Sequence, residues 1–200
     1  MSELNQLTLE QINQCLTHNS GITFDLPGFW TDRNCQQAAV LIPFVKFQQQ
    51  WHLVFIRRAS HDSDLHSGQV AFAGGKYEEF DENLQMTALR EAHEEIGLTP
   101  EDVTILGTLN YHHSISRFRI TPVVAHIPWP YELILDGLEV ARVFTIPLNW
   151  LANPAHHQIR QHKHEKTEPF PVVYFDEYDG ELLWGATARM TLSLISLLKS

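Results

Sequence analysis

Cysteines, long apolar runs and basic residues are all scarce in this sequence, and each scarcity excludes a class of protein. The two cysteines, Cys15 and Cys35, have no metal-ligand spacing, so neither a disulfide scaffold nor a cysteine-based zinc site is expected. We interpret both as reduced, ordinary residues. No window approaches the roughly 18 consecutive apolar residues of a membrane-spanning helix, and we expect no membrane partner.

Charge of one sign dominates the chain. Its 14 Lys and Arg residues are outnumbered by 24 Asp and Glu residues, which gives a formal net charge of −10. Such a chain repels polyanions, so the sequence argues against a nucleic-acid partner, whereas a small anionic substrate is compatible if a cation bridges it. The segment 1–10 carries two acids, no Lys or Arg and no apolar stretch, which argues against a secretory signal and favours a cytoplasmic protein.

Length and composition predict one globular domain. With 200 residues, of which 44% are hydrophobic and 19% charged, the chain is long enough for a real core and too apolar for disorder. We expect residues 1–37 to form an N-terminal helix and loop extension, and residues 38–200 to form the core of the same domain. Thr8 and Gln11 have the spacing of a capping box, which predicts a short helix that starts near Thr8.

Apolar runs between turn residues predict a layered α/β domain. Strands are expected over 38–47, 51–56, 70–72, 103–109, 119–127, 142–146, 170–175 and 182–184. Asp81–Ile96 is the clearest helix, with Asp81 as its cap and Gly97 as its stop, and Ala186–Leu198 is expected to close the chain as an amphipathic helix. The polar, His-rich stretch His156–Thr167 is expected to be a mobile loop.

The densest group of acids lies on the predicted central helix and the loop before it. Seven of the chain's 24 acids lie between residues 78 and 95. Glu91 and Glu95 are four residues apart and therefore share one helical face, with Glu94 beside them. Because like charges at this spacing repel, solvent, Arg90 or a bound cation must offset them. Carboxylate oxygens are the ligands that Mg²⁺ and Mn²⁺ prefer, so a metal site is one interpretation and a solvated helix face is the other.

The surroundings of these acids favour the metal site. A glycine pair, Gly74-Gly75, precedes an acid-rich loop and then the run Arg90-Glu91-Ala92-His93-Glu94-Glu95-Ile96-Gly97-Leu98. This order resembles the Nudix box, the signature of hydrolases that act on nucleoside diphosphates linked to another group. The helical half fits at every specified position, whereas Gly75 and Glu82 enclose six residues, one more than the general pattern. The resemblance implies a Nudix-type α/β/α sandwich with a central mixed sheet and a catalytic loop–helix–loop, and a Mg²⁺ or Mn²⁺ cofactor.

The longer loop and its flanks resemble the coenzyme A diphosphatase branch of that family. The segment Gly68-Gln69-Val70-Ala71-Phe72 leads towards the glycine pair, and Arg57-Arg58-Ala59 ends an upstream strand as in that branch. Segments 139–144 and 184–188 are similar as well. The resemblance implies hydrolysis of the diphosphate bond of coenzyme A or a coenzyme-A-like nucleotide to 3′,5′-adenosine bisphosphate and 4′-phosphopantetheine.

Three departures from the branch bear on the substrate. Ala73 replaces the usual proline, Glu78 replaces the usual aspartate, and the stretch after Ala59 lacks its usual arginine and carries Asp62 and Asp64. Acids there would weaken the recognition of a 3′-phosphate, so ADP-ribose or another nucleoside diphosphate derivative stays open as the substrate. A non-catalytic nucleotide-binding module also stays open as the function. An inactive member of such a family, however, usually loses the acids that this sequence keeps.

The resemblance implies a role for each residue of the candidate site. We expect Glu91 and Glu95 to be metal ligands, and Glu94 to be a third ligand or a general base. Glu82 is expected to reach the metal through water or to pair with Arg90, and Arg90 to orient a carboxylate; an exposed residue that only favours the helix dipole is the alternative for Glu82. The candidates for binding the substrate phosphates are Arg58, Gly74, Gly75 and Lys76, with a plain turn as the alternative for the glycines.

Other features leave alternatives open. Glu139 is a candidate base away from the box, or else a surface residue. The twelve histidines have no accompanying Cys or Asp at ligand spacing, so we interpret them as loop residues rather than metal ligands. A calcium-binding acidic surface is disfavoured because the chain has no Asp-x-Asp-x-Asp-Gly loop. The sequence leaves open a homodimer.

Overall fold

A computed structural model describes residues 3–18, 35–60, 67–164 and 167–200 of the chain. The strands of this part are β1 Gln36–Phe47, β2 Gln50–Arg58, β3 Val70–Ala71, β4 Gly74–Lys76, β5 Thr104–Thr108, β6 His112–His113, β7 Phe118–His126, β8 Val140–Pro147, β9 His157–His164 and β10 Thr167–Phe175. The helices are α1 Leu9–His18, α2 Leu84–Ile96, α3 Leu148–Leu151 and α4 Gly185–Leu198. No helix within these ranges is long and apolar enough to cross a membrane.

A mixed sheet forms the centre of the molecule. Strand β1 lies in its middle, where it pairs in parallel with β7 and antiparallel with β2 and β4. The order across the sheet is β3-β2-β1-β7-β5, while β8 pairs with β2 and β6 pairs with β7. Strands β9 and β10 form a separate antiparallel pair. The central mixed sheet predicted from the resemblance is therefore confirmed.

Apolar side chains cover both faces of this sheet. On β1, Leu41 and Val45 belong to one buried cluster, and Ile42 and Phe44 to the other, because successive side chains of a strand point to opposite faces. Helix α2 packs into the first cluster, and helices α1, α3 and α4 pack into the second. The layers are those of an α/β/α sandwich.

The N-terminal helix belongs to the same core. Thr8 and Gln11 form the predicted capping box, with Gln11 N donating to Thr8 Oγ1 at 3.2 Å and Thr8 N donating to Gln11 Oε1 at 2.9 Å. Ile12 and Leu16 are buried, and Leu16 packs where Gly107 has no side chain, since a Cβ on that glycine would lie 2.8 Å from the Leu16 Cβ. The division of the domain into an extension and a core at residue 38 stays a prediction.

The start of the central helix differs from the prediction. Helix α2 begins at Leu84 rather than Asp81, because the cap is Asn83, whose Oδ1 accepts hydrogen bonds from two backbone N–H groups of the first turn. Asp81 lies before the helix and is free for another role. The end of the helix is as predicted, with Gly97 in the left-handed conformation at φ 67°.

The prediction of a mobile loop over His156–Thr167 was wrong. Residues 157–164 form β9, which pairs antiparallel with β10 along most of its length. Most of the described β9 side chains are exposed, whereas β10 buries Phe170, Val172 and Phe175. The partner strand thus supplies the apolar contacts that the polar strand lacks. The expected strand at 182–184 is reduced to an isolated bridge between Trp184 and Tyr174.

Candidate active site

The glycine pair and α2 approach each other closely over the sheet. The backbone N of Gly74 donates to Glu95 Oε2 at 3.0 Å. A Cβ on Gly74 would lie 2.4 Å from the Ala39 carbonyl oxygen, and a Cβ on Gly75 would lie 2.5 Å from the Glu91 carboxylate. Residues without side chains are therefore needed at both positions, because they let β4 pair with β1 and lie directly against the carboxylates of α2.

Arg90 is the centre of a hydrogen-bond network that fixes the acidic face of α2. Its Nη1 donates to Glu91 Oε1 at 2.8 Å and to Glu94 Oε2 at 3.1 Å. Its Nη2 donates to the carbonyl oxygen of Lys76 at 3.0 Å, which ties α2 to the end of β4. The opposite edge of the guanidinium pairs with Asp81, from Nε at 2.9 Å and from Nη2 at 3.1 Å. The predicted role of Arg90 in orienting carboxylates agrees with this geometry.

The acid that anchors Arg90 is Asp81, not Glu82. Asp81 is buried and also accepts hydrogen bonds from Thr87 Oγ1 at 2.9 Å and from the Glu78 backbone N at 3.0 Å. The hydrogen bond from Arg90, followed by those from Glu78 and Thr87, lowers the pKa of Asp81 to about 2 against the opposing effect of burial. Glu82 is exposed, and its side chain contacts no charged partner among the described residues. The expected pairing of Glu82 with Arg90 is thus corrected, and its action through water stays a prediction.

Glu95 is a buried carboxylate surrounded by other acids. Its side chain is 2% exposed, and burial raises its pKa to about 7, opposed by the hydrogen bond from Gly74 and by the positive charge of Arg58. The negative charges of Glu139 and Glu91 raise it further. Burial likewise raises the pKa of Glu91, although Arg90 opposes the shift. Added positive charge at this point would stabilise both ionised carboxylates.

Glu139 is brought to the same place from a distant part of the chain. Its carbonyl oxygen accepts from the Ala59 backbone N at 2.7 Å, next to Arg58 at the end of β2. The loop before it is held to the end of α2, where Asp136 N donates to the Glu95 carbonyl oxygen at 3.0 Å. Its negative charge reaches both Glu91 and Glu95. The structure therefore groups Glu139 with the acids of α2.

These acids fit a divalent cation, although they are not arranged around one. In the part of the chain that the structure describes, no group of three acidic, His or Cys side chains is positioned to hold a metal ion. Arg90 instead holds Glu91 and Glu94, while Glu95 faces the Gly74 amide. The donor set is hard carboxylate oxygen, and Glu91 and Glu95 are carboxylates whose pKa values are raised first by burial and then by the charges of neighbouring acids. Both observations suit a cation of the magnesium type.

A cavity of about 390 Å³ opens on the other side of the glycine pair. Arg58, Gly74, Gly75 and Lys76, all predicted to bind substrate phosphates, line its wall. The rest of the wall comes from residues 69–72, from the first residues of β1 and β7, from residues 113–116, from His162 and β10, and from the start of α4 with the residue before it. The structure therefore brings the predicted phosphate-binding residues together, next to the acidic face of α2.

Comparison with known proteins decides the family. The NUDIX domain family matches residues 36–164, which is more than half of the chain. The chain belongs to the Nudix family. A relative from Enterobacter sp. (strain 638), named uncharacterized Nudix hydrolase NudL, is 41% identical over 80% of this chain and 82% of its own length. Another of the same name, from Yersinia pestis (strain Pestoides F), is 35% identical over 92% of this chain and 86% of its own length.

One solved structure is similar to part of the chain. A C. elegans Ap4A hydrolase in a binary complex is 20% identical and covers 57% of this chain and 81% of that chain, with a TM-score of 0.47. The family assignment rests on the domain match and the two relatives, and the predicted resemblance to Nudix hydrolases is confirmed.

Membership of the Nudix family settles the class of protein. The chain is a Nudix hydrolase, an enzyme that cleaves derivatives of nucleoside diphosphates, and the non-catalytic alternative is set aside. Nudix hydrolases generally need divalent metal ions. The acidic face of α2 is the place in the described chain where carboxylates suited to such an ion are concentrated.

Two residues that border the site were not predicted from the sequence. Asp81 was assigned to the helix cap, although it stands nine residues before Arg90 and was available as its partner. Arg189 lies within the apolar closing helix, yet it lines the cavity from α4. A charged residue within an otherwise apolar helix is the sequence pattern that could have indicated Arg189 as a candidate.

Proposed function

We propose that the chain hydrolyses the diphosphate bond of coenzyme A or a coenzyme-A-like nucleotide, with Mg²⁺ or Mn²⁺, to 3′,5′-adenosine bisphosphate and 4′-phosphopantetheine. The observation that carries this proposal is the position of the cavity. Its cationic end, with Arg58 and Lys76, meets the acidic face of α2 at the glycine pair. A diphosphate bound there would lie between fixed positive charge and the carboxylates suited to a metal ion. Residues from two of the segments that resemble coenzyme A diphosphatases, 68–72 and 184–188, line the cavity and support the proposal.

The glutamates of the acidic segment have different roles in this proposal. Glu91 and Glu95 hold the divalent cation, and Glu94 is a third ligand or the base. Glu82 acts on the metal through water, because its side chain is exposed and lies outside the Arg90 network. When bound, the cation would neutralise part of the diphosphate charge and lower the pKa of an attacking water molecule.

Residues of the chain supply binding and proton transfer. Arg58 and Lys76 neutralise the phosphate oxygens, and the backbone at Gly74 and Gly75 allows the phosphate to approach the sheet closely. Arg90 keeps Glu91 and Glu94 in place before substrate arrives. Glu94 or Glu139 takes the proton of the water that attacks one phosphorus, and the other phosphate leaves as a monoester. Cytoplasmic location and homodimer formation stay predictions.

ADP-ribose is the second candidate substrate. The stretch between Ala59 and Gly68 carries Asp62 and Asp64 and no arginine, which disfavours a 3′-phosphate at that place. ADP-ribose has the same diphosphate and adenosine but no 3′-phosphate. Residues 61–66 lie outside the described residues, so this argument rests on the sequence alone.

A substrate screen tests the proposed function. We expect the full chain to release products from coenzyme A or acyl-coenzyme A faster than from ADP-ribose or diadenosine polyphosphates, in the presence of Mg²⁺ or Mn²⁺. The Glu95→Gln variant, assayed in parallel, controls for contaminating phosphatases, because its fold should be intact. Faster hydrolysis of ADP-ribose would give preference to the second candidate. Hydrolysis of none of these compounds would contradict the proposal.

A further inference from the structure

The cavity beside the glycine pair is cationic although the chain is strongly acidic. Arg58, Lys76 and Arg189 line its wall, together with His113 and His162. None of the wall residues within the described ranges is Asp or Glu, in a chain whose formal net charge is −10. A concave surface with charge of one sign concentrates ligands of the opposite sign. The cavity as a whole is therefore suited to an anionic ligand.

The cations of the cavity lie at two separate places along the sheet. The row of paired residues that joins them across four strands runs through Lys76, Ala38, Ile120 and His112. Three inter-strand steps of this kind span roughly 14 Å. Arg189 reaches the far side of this row, where its Nη2 donates to the His113 carbonyl oxygen at 2.5 Å. One end of the row has Lys76, and Arg58 belongs to the same end because its charge acts on Glu95, the partner of Gly74; the other end has Arg189.

Arg189 is unusual in its place on α4. The residue is 8% exposed and sits between the buried apolar residues Ala188 and Met190. A guanidinium keeps its charge even in such surroundings, because its pKa lies far above neutrality. The neighbouring His112 is neutral, since burial and then the Arg189 charge lower its pKa to about 3. The positive charge at this end of the cavity therefore comes from Arg189 and is not duplicated by His112.

We propose that Arg189 binds a second anionic group of the substrate. This group is a phosphate monoester that lies outside the diphosphate and is not changed by the reaction. This rests on the proposed function, in which Arg58 and Lys76 hold the diphosphate at the other end. The hydroxyls of Ser114 and Ser116, whose oxygens are 2.9 Å apart, line the cavity near the same strand. Apolar wall residues between the two ends accommodate the part of the substrate that joins the two anionic groups. Arg189 is thereby a specificity-determining residue for substrates with a remote phosphate.

Binding of two nucleotides that differ by one phosphate tests this proposal without any reaction. Isothermal titration of the full chain with 3′,5′-adenosine bisphosphate and with 5′-AMP should show tighter binding of the bisphosphate by about ten- to a hundredfold, the range of a charge-assisted phosphate contact. Arg189→Gln should erase this preference and leave the affinity for 5′-AMP within about twofold. Arg160→Gln is the matched control, because Arg160 is exposed on β9 and lies outside the cavity wall.

Kinetics separate this role from a purely structural one. In Arg189→Gln the KM for coenzyme A should rise by about ten- to a hundredfold with kcat nearly unchanged, while both constants for 3′-dephospho-coenzyme A stay at their wild-type values. An equal loss on both substrates, or the same loss in Arg160→Gln, would overturn the proposal. If Arg189→Gln does not fold, Arg189→Lys replaces it. This variant must then weaken the binding of 3′,5′-adenosine bisphosphate more than the binding of 5′-AMP.

The failure of this inference differs from the failure of the proposed function. If neither coenzyme A nor its 3′-dephospho form is hydrolysed, the proposed function is wrong, and the two-nucleotide titration still decides the role of Arg189. Equal affinity of the wild-type chain for 3′,5′-adenosine bisphosphate and 5′-AMP would overturn the second phosphate site, whatever the substrate of the enzyme.

Discussion

Replacement of Asp81 by asparagine is the sharpest test of the network that positions the acids of α2. The variant keeps the shape of the side chain but removes the charge that accepts two hydrogen bonds from Arg90. The fall of the Asp81 pKa from 3.8 to about 2 on folding corresponds to roughly 2 kcal/mol of stability at neutral pH. For a domain of this size, that loss should lower Tm by about 4–8 °C.

The sign of the pH dependence follows from the lowered pKa. Because the folded-state pKa lies below the unfolded one, the contribution of Asp81 is complete above about pH 4 and is lost as the pH falls from about 4 to about 2. Urea unfolding of the wild type and Asp81→Asn should therefore give a constant difference between pH 5 and pH 8. The difference should shrink at lower pH wherever both proteins remain folded.

The same substitution should reduce activity through Arg90. Without Asp81 the guanidinium loses its anchor, and the orientation of Glu91 and Glu94 is no longer fixed. Loss of a partner that orients the metal ligands typically costs roughly ten- to a hundredfold in activity. The matched control is Glu82→Gln, an adjacent and exposed carboxylate whose replacement should change stability by less than about 0.5 kcal/mol. An effect of Glu82→Gln on stability that equals or exceeds that of Asp81→Asn would refute this reasoning.

Four further predictions concern the site. Glu95→Gln should lower activity by at least roughly a hundredfold while the melting curve stays close to that of the wild type, and residual activity above about a tenth would exclude Glu95 as a ligand. At limiting metal ion, activity should rise through neutral pH, because burial raises the pKa of Glu95 to about 7 in the metal-free chain and a ligand must be ionised; activity should vanish with chelator, and an optimum in mild acid would contradict this. Gly75→Ala should displace the Glu91 carboxylate and lower activity more than stability, whereas Gly74→Ala, which would contact the Ala39 backbone, should lower stability in thermal melts. Arg58→Ala should lower kcat/KM about equally for coenzyme A and 3′-dephospho-coenzyme A, since we assign it to the shared diphosphate; a selective loss on coenzyme A would move Arg58 to the second phosphate.

Local signals in the sequence predicted the elements whose ends are fixed by neighbouring residues. The capping box of Thr8 and Gln11 and the left-handed Gly97 both depend on contacts within a few residues, and both formed as predicted. The start of α2 was missed because Asp81 and Asn83 are equally good cap residues. In the structure Asn83 takes the cap position, and Asp81 instead accepts hydrogen bonds from Arg90, nine residues further along the chain.

Other features depend on contacts between distant parts of the chain. Strand β9 has no apolar alternation of its own and forms because β10 supplies the buried residues. Glu139 was a candidate base by resemblance, but its nearness to Glu95 depends on the hydrogen bonds of the loop at Asp136. In the sequence, Arg189 is only one polar residue of an amphipathic helix. Its position at the cavity wall depends on how α4 packs in the fold. Such placements follow from packing rather than from local pattern.

The most direct measurement of the central claim is hydrolysis of coenzyme A in water enriched in ¹⁸O, with the products identified by mass spectrometry. The account predicts two phosphate monoesters, 3′,5′-adenosine bisphosphate and 4′-phosphopantetheine, with one ¹⁸O atom on only one of them, because water attacks a single phosphorus. The reaction should require a divalent cation and be lost in Glu95→Gln. Release of inorganic phosphate, cleavage that survives in Glu95→Gln, or intact coenzyme A beside hydrolysed ADP-ribose would contradict the account.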